Sequence, residues 1–478
     1  MGQEIRITAY SDGDYRRFHG RLAAETELLA EMVGQRAVSE AAPVAGFELE
    51  AWLLHDDMLP AALNEAYLNS FNNPMAGPEL AKFNIELNTP PLALTANALA
   101  VLHQNLAATW RQAEQHARRM ELHLLMIGTL PTLRQSQLNL ENMSNMNRYR
   151  ELNRQVLKNR GKPIQLDICG QEHLRLEHHD VMLEAATTSF QLHLQCPLSV
   201  AHHVYNASML ASAAMVAVCA NAPYLFGRDL WAETRIPMFE QAVALGGYSG
   251  AAEGPLHRVS FGSDYARLSI LECFEENLRH FPVLLPEYFD DDAAAFSHLR
   301  LHNGTIWRWN RPLVGFDADG MPHIRIEHRV PAAGPTVLDA IANAAFFYGL
   351  VSNLARQRAE GQADLPFSQA KDNFYQAARH GLDSHVVWLG GNRQRLAVLV
   401  RNELLPLAHA GLLSLGIDVN DANIYLDVLE QRLANRQTGS DWQRRFIQQH
   451  PGDFAGLTRQ YLRRQRRGEP VAGWDCAI

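Results

Sequence analysis

The chain predicts an α+β fold in which a mainly antiparallel sheet, polar on one face, is flanked by helices. Three observations predict it. Four separate segments alternate apolar and polar residues with period two, the spacing that sends successive strand side chains to opposite faces. Between and after them run stretches with helical spacing. The chain's 478 residues with 47% hydrophobic content suffice for a large core, and length alone suits roughly two to four domains or one elaborated unit.

The elements follow in order. Residues 11–40 contain Arg16, Arg17 and Arg21 and a helically spaced run from Leu22 to Val33, ending near Gly34. The Ala41-Ala42-Pro43 break precedes the first strand, Gly46-Phe47-Glu48-Leu49-Glu50-Ala51. Residues 57–82 are rich in Asn and Pro and place Glu79 after Gly77-Pro78. A second strand, Phe83-Asn84-Ile85-Glu86-Leu87-Asn88, stops at Pro90-Pro91. An amphipathic helix over 95–120 and an apolar strand over Leu122–Ile127 come next. The polar stretch 134–163 holds a helix around Arg148–Lys158 and turns at Gly161-Lys162-Pro163. A helix beside Ala185, the strand Ser189-Phe190-Gln191-Leu192-His193-Leu194 and an alanine-rich helix over 200–220 follow. The uncharged run Ala207–Phe226 is broken by Ser208, Ser212, Asn221 and Pro223, and reads as a buried helix, not a membrane span. Gly246–Gly254 is a loop with the composition of a linker or a substrate lid. Arg308–Val330 reads as two strands joined by the turn Phe316-Asp317-Ala318-Asp319-Gly320. Beyond Pro335 the chain is mainly helical, and its basic stretch Arg459–Arg467 reads as a solvated helix face. The division expected is a helical segment over 1–40, a catalytic unit over 41–395 and a helical extension over 396–478.

Composition excludes several classes. A net charge of −9 argues against nucleic acid as a partner, since binding domains are normally basic. Only four of the 43 basic residues are lysines, so 39 are arginines, and phosphate contacts would fall mostly to arginine. Five widely spaced cysteines with no Cys-x-x-Cys pair fit reduced thiols, not a disulfide framework or a zinc site. The polar N-terminus lacks an apolar signal core. These features lead to the expectation of a soluble cytoplasmic protein with no membrane partner.

The polar faces carry the chemistry. A sheet with one wet face shows such alternation without any function. Here, however, the exposed positions are not the usual Lys, Thr, Ser and Arg mixture. If the four strands share a sheet, Glu48, Glu50, Glu86, His193, Glu327 and Arg329 would line one concave surface. Clustered carboxylates repel one another unless a cation or solvent neutralises them. Oxygen ligands with a histidine suit magnesium or manganese. Arg329, two residues past Glu327, faces the same way and can hold a phosphate in a fork. The doublets His178-His179 and His202-His203 read as ordinary histidines. Gly161-Lys162 is followed by Pro, so no phosphate-cradling glycine loop is present. An ATP site would be built from cations and arginines on a sheet.

The ordered set Glu48-x-Glu50, Glu79, Glu86-Leu-Asn-Thr-Pro-Pro91, His193 and Glu327-x-Arg329 resembles the glutamate–cysteine ligase superfamily, which shares its catalytic sheet with glutamine synthetase. Ala220-Asn-Ala-Pro223, Gly227-Arg-Asp229, Arg311-Pro312 and Asn373-Phe-Tyr-Gln-Ala-Ala-Arg379-His-Gly381-Leu-Asp383 extend the similarity over roughly 44–390. The resemblance implies a curved, funnel-like sheet of the glutamine synthetase and guanidino kinase type. It implies a carboxylate–amine ligase that depends on ATP and Mg²⁺ (or Mn²⁺), with ATP, a small-molecule acid and an amine as its partners. The acid would be activated as an acyl phosphate. Glutamate is the leading acid and cysteine the leading amine, giving a γ-glutamyl amide. By the same resemblance Glu50, Glu79 and Glu86 hold one metal. Glu48, His193 and Glu327 hold a second, and Arg329 beside Glu327 meets the transferring phosphoryl group. Arg235 is the candidate for a substrate carboxylate, with Arg311 nearer the nucleotide. Gln191 stands where many relatives have the first histidine of His-x-His, so it faces the substrates. Trp309 or Asn310 replaces a usual acidic residue before Arg-Pro. Two other readings share this fold: a guanidino-kinase-like phosphotransferase and a non-catalytic nucleotide- or metal-binding regulatory protein.

Overall fold

The computed structural model describes residues 4–6, 9–244, 256–362 and 365–476. The Gly246–Gly254 loop lies outside the described residues. An eight-stranded sheet forms in the order Asn310–Phe316, Pro322–His328, Phe190–Cys196, Val44–Leu54, Asn84–Asn88, Ala76–Pro78. Leu92–Ala93 and His123–Leu125 pair with the two ends of Val44–Leu54. Every pair is antiparallel, and the sheet curls into a half-barrel.

Register decides which side chains share a face. Glu50 lies opposite Glu86, and Glu48 lies opposite both Asn88 and Gln191. His193 lies opposite Gly46 on one side and Glu327 on the other. Directly opposed residues point the same way, as do residues two apart along a strand. The four alternating segments therefore put Glu48, Glu50, Glu86, Gln191, His193, Arg325, Glu327 and Arg329 on one face. Phe47, Leu49, Phe190, Leu192, Ile324 and Ile326 occupy the other and are buried. Against that apolar face pack the helices Ala201–Val218 and Val337–Ala359. Tyr348 on the second stacks near Phe47, and its hydroxyl reaches the carbonyls of Gly46 and His193 at 3.3 and 3.2 Å.

The expected helices at 95–120, 148–158 and 200–220 are Ala98–Arg119, Asn147–Arg160 and Ala201–Val218. The last is buried almost all round, which explains its uncharged sequence. The first helix, Asp12–Gly34, starts at a reciprocal Ser11–Asp14 cap and docks on Ser297–Gly304 through Glu25 Oε1 and His298 Nδ1, 2.6 Å apart.

Several elements differ from expectation. The helix foreseen beside Ala185 is only a 3-10 turn, Val181–Ala186. Residues 164–169 and 173–178 form a hairpin whose Ile164, Leu166 and Ile168 alternate inward. The Asn-rich segment holds a helix, Asn64–Phe71, anchored where the Tyr67 hydroxyl donates to the Ala113 carbonyl at 2.7 Å. The basic stretch near 459–467 is not wholly solvated. Arg464 is buried with its guanidinium 5.4 Å from the Trp442 ring centre. Helices within residues 396–476 share a hydrophobic core with the sheet helices. Arg432 inserts between Asp339 and Asn343, 2.7 Å from each.

Candidate active site

A cavity of about 540 Å³ opens over the polar face. Glu48, Glu50, Glu79, Glu86, Gln191, Arg235, Arg311, Glu327 and Arg329 all line it. His193 sits just beneath, with Nε2 3.3 Å from Glu48 Oε1. The structure thus brings every residue expected at the site into one region.

Two groups of carboxylates are distinguishable. In the first, one ligand atom from each of Glu48, His193 and Glu327 falls within 4.8 Å of the others. Burial opposes ionisation of Glu48, but the His193 ring beside it wins and brings its carboxyl down to about 2. Glu327 is buried too, and Arg311, Arg329 and His193 together hold its carboxyl well below the usual range. In the second group, burial followed by the charges of Glu86 and Glu50 pushes Glu79 well above the usual range. Glu86 is raised by burial and then by Glu48. Glu50 is oriented by the Ser189 backbone N–H and hydroxyl, both at 2.7 Å, and by the Gln191 amide at 2.9 Å.

Raised proton affinity in crowded carboxylates marks a site short of positive charge, which either protons or a cation can supply. Glu79 and Glu86, with Glu50 lining the same cavity, form such a place. The Glu48–His193–Glu327 trio, the one group among the described residues whose ligand atoms all lie within 4.8 Å of one another, fits a divalent ion through its mixed oxygen and imidazole donors.

The basic residues divide by task. Arg311 grips Glu327 with two bonds of 2.8 and 2.9 Å, so its guanidinium braces that carboxylate. Arg329 Nη1 lies 3.2 Å from Glu327 and also donates to the side-chain amide oxygen Oε1 of Gln191. Its buried Nε has no hydrogen-bond partner among the described residues. Gln191 thereby links Arg329 to Glu50, accepting from the first and donating to the second. Arg235 spends its Nη groups on Glu233 and on the carbonyls of Val330 and Arg329 at 3.1–3.2 Å. Its Nε likewise lacks a partner among the described residues, leaving one donor for a ligand in the cavity it lines.

Trp309 and Asn310, either of which replaces the usual acidic residue, part ways here. Trp309 lines the cavity, its indole N–H donating to Glu240 at 2.9 Å. Asn310 turns away to Ser212 and His328. Several cavity residues escaped the sequence reading: Arg148, Glu184, Phe239, Trp307 and Arg325. Arg325 was readable, since it precedes Glu327 by two on a recognised strand. Glu184 was not, because it projects from a short turn with no periodicity.

Residues 45–468 match the family described as glutamate-cysteine ligase family 2. Among solved structures, the chain is similar to the glutamate–cysteine ligase of Francisella tularensis in complex with AMP. Sequence identity is 11%, coverage is 92% of this chain and 91% of that one, and the TM-score is 0.54. It is also similar to a bifunctional glutathione synthetase from Pasteurella multocida, at 13% identity over 88% of this chain and 52% of that one, with a TM-score of 0.49. No curated protein matches the sequence.

Proposed function

The chain belongs to glutamate–cysteine ligase family 2, and from that premise we propose that it is an ATP- and Mg²⁺-dependent carboxylate–amine ligase forming a γ-glutamyl amide. The observation that carries the reading is the convergence of Glu48, Glu50, Glu79, Glu86, Glu327 and Arg329 around one cavity, with His193 against Glu48. A carboxylate cannot expel oxide to an amine at neutral pH. Transfer of the γ-phosphoryl of ATP onto the acid supplies a leaving group, and phosphate then departs as the amine attacks.

Glu50, Glu79 and Glu86 would hold one cation, and Glu48, His193 and Glu327 another. Bound there, such ions supply the positive charge that phosphoryl transfer needs. The protein's own residues do the rest. Arg329, whose Nε is uncommitted among the described residues, meets the equatorial oxygens of the transferring group. Gln191 fixes the direction of that guanidinium while Arg311 keeps Glu327 ionised. Arg235 offers Nε to the α-carboxylate of the acid, its aliphatic stem held against Gly128.

The test measures ADP release with ATP, Mg²⁺, glutamate and a panel of amines, with products identified by mass. ADP formation is expected only when acid and amine are both present. Arg329→Ala is expected to lower turnover about 10³-fold. Its melting temperature should hardly change, because Arg311 still compensates Glu327. ADP accumulating with a stable phosphorylated guanidine would make the protein a phosphotransferase. ATP binding that no acid–amine pair turns into hydrolysis would make it a regulatory protein.

A further inference from the structure

The cavity has two unlike walls. On one lie the carboxylates and their arginines. Beyond Arg329 the other becomes aromatic, with Phe239, Trp307 and Trp309 all lining it. The Phe239 ring meets Trp309 edge-on at 5.9 Å and Trp307 at 6.4 Å, and the Arg329 guanidinium lies 6.0 Å from its centre. Trp309 is locked in place, since Glu240 accepts from its indole and from the Tyr375 hydroxyl at 2.9 and 2.7 Å. One carboxylate of the same cavity, Glu184, comes from the turn Val181–Ala186, on which the helix carrying Phe239 packs.

We propose that this recess is the acceptor subsite and that its ligand is a primary amine with an apolar, aromatic or aliphatic body and no α-carboxylate. The proposal rests on the ligase reading. Aromatic faces attract an ammonium, more strongly when both are desolvated, and Glu184 gives that ammonium a counter-charge. The same carboxylate opposes an α-amino acid, whose own carboxylate would enter the recess only two bonds from its nitrogen. The charged groups around Glu184 are Arg329, Glu50 and Arg148, with the Tyr149 hydroxyl also near. Arg329 is already engaged by Glu327 and Gln191. Burial, only partly offset by Arg329, raises the Glu184 carboxyl to about 7, which suits it to exchange a proton near neutrality.

In the acyl-transfer step the ammonium gives one proton to the Glu184 carboxylate, and the freed amine attacks the acyl carbon of the acyl phosphate. The C–N bond forms, the C–O bond to phosphate breaks, and phosphate leaves with that electron pair. The nitrogen's second proton goes out on the departing phosphate. Glu184 returns its proton to solvent.

The experiment uses the full chain with ATP, Mg²⁺ and glutamate. Hydroxylamine serves as a minimal acceptor, so hydroxamate reports acyl activation without needing the recess. Phenethylamine is then compared with phenylalanine, which differs only by the carboxylate, and with cysteine. Phenethylamine is expected to exceed both in kcat/KM by about tenfold or more. Trp307→Ala should lower the ratio of amide to hydroxamate formed by a similar factor, through KM for the amine. If Trp307→Ala does not fold, Phe239→Leu serves the same comparison. A preference for cysteine or phenylalanine, or an unchanged ratio in the folded variant, overturns the proposal. Absence of hydroxamate overturns the ligase reading itself, a failure distinguishable from the first.

Discussion

Glu240 illustrates how a single side chain can tie the site to pH. It accepts from Trp309 and Tyr375, and burial, opposed by those bonds and by Lys371, brings its carboxyl up to about 7 from an ordinary value of 4.5. The folded protein therefore binds this proton more tightly than the unfolded chain does. The resulting stability is fully present below about pH 4.5 and is lost as pH rises through about 7, at roughly 1.4 kcal/mol for each tenfold difference in proton affinity. Glu240→Gln keeps an acceptor for both donors and removes the titration. Its melting temperature relative to the parent should therefore be higher at pH 8 than at pH 5, as thermal denaturation would measure. An equal difference at both values would place Glu240 in a more polar setting. None of this was legible in the sequence, because Glu240 meets Trp309 and Tyr375, far away in the chain. Glu48, Glu50, Glu86 and Glu327 were legible for the opposite reason: period two alone fixes their common direction along each strand. Glu79 came only through the family resemblance, since it lies on no alternating segment.

Helices and strands differed in how well they could be read. The long helices announce themselves through apolar spacing and the catalytic strands through alternation. Asn64–Phe71 did not, because its asparagines are poor helix formers and packing of Tyr67 holds it. The hairpin 164–178 alternates as clearly as the catalytic strands, yet the polar stretch and turn before it masked the pattern. One contact between elements is invisible in any single segment. Helix Val337–Ala359 and helix Leu405–Ser414 press together at Gly349 and Gly411. A Cβ on Gly411 would overlap the Gly349 carbonyl, and one on Gly349 would overlap that of Ala408. Neither glycine has a positive φ, so space and not backbone freedom requires them. Gly411→Ala must push the helices apart, and overpacking of this kind costs about 1–3 kcal/mol. Urea denaturation should show that loss. A variant as stable as the parent would mean that the helices separate easily.

At the scale of the whole molecule the question is whether residues 396–478 are an appendage or part of the unit that builds the site. The family match runs to residue 468, and several contacts tie the C-terminal helices to the helices beneath the sheet. Asn221, in the segment that leads to Arg235, donates to the Tyr461 hydroxyl at 2.7 Å and accepts from Gln443 at 2.9 Å. Arg432 is the strongest tie. It is 1% exposed, it donates to Asp339, Asn343 and the Val218 carbonyl, and so it joins the C-terminal helices to both helices beneath the sheet. Asp339 is fully buried and also accepts from the Val471 backbone. Removing one partner of such a pair leaves an uncompensated buried charge and costs about 3–5 kcal/mol, whereas replacing both with neutral groups is often close to neutral. Arg432→Met should therefore destabilise the whole chain in a single urea transition, with far-ultraviolet circular dichroism and tryptophan fluorescence falling together. Arg432→Met combined with Asp339→Asn should recover most of the loss. If Arg432→Met instead melts only part of the helical signal while Trp52 on the sheet and Trp309 beside it stay buried, residues 396–478 form a separable layer and the catalytic sheet stands without them.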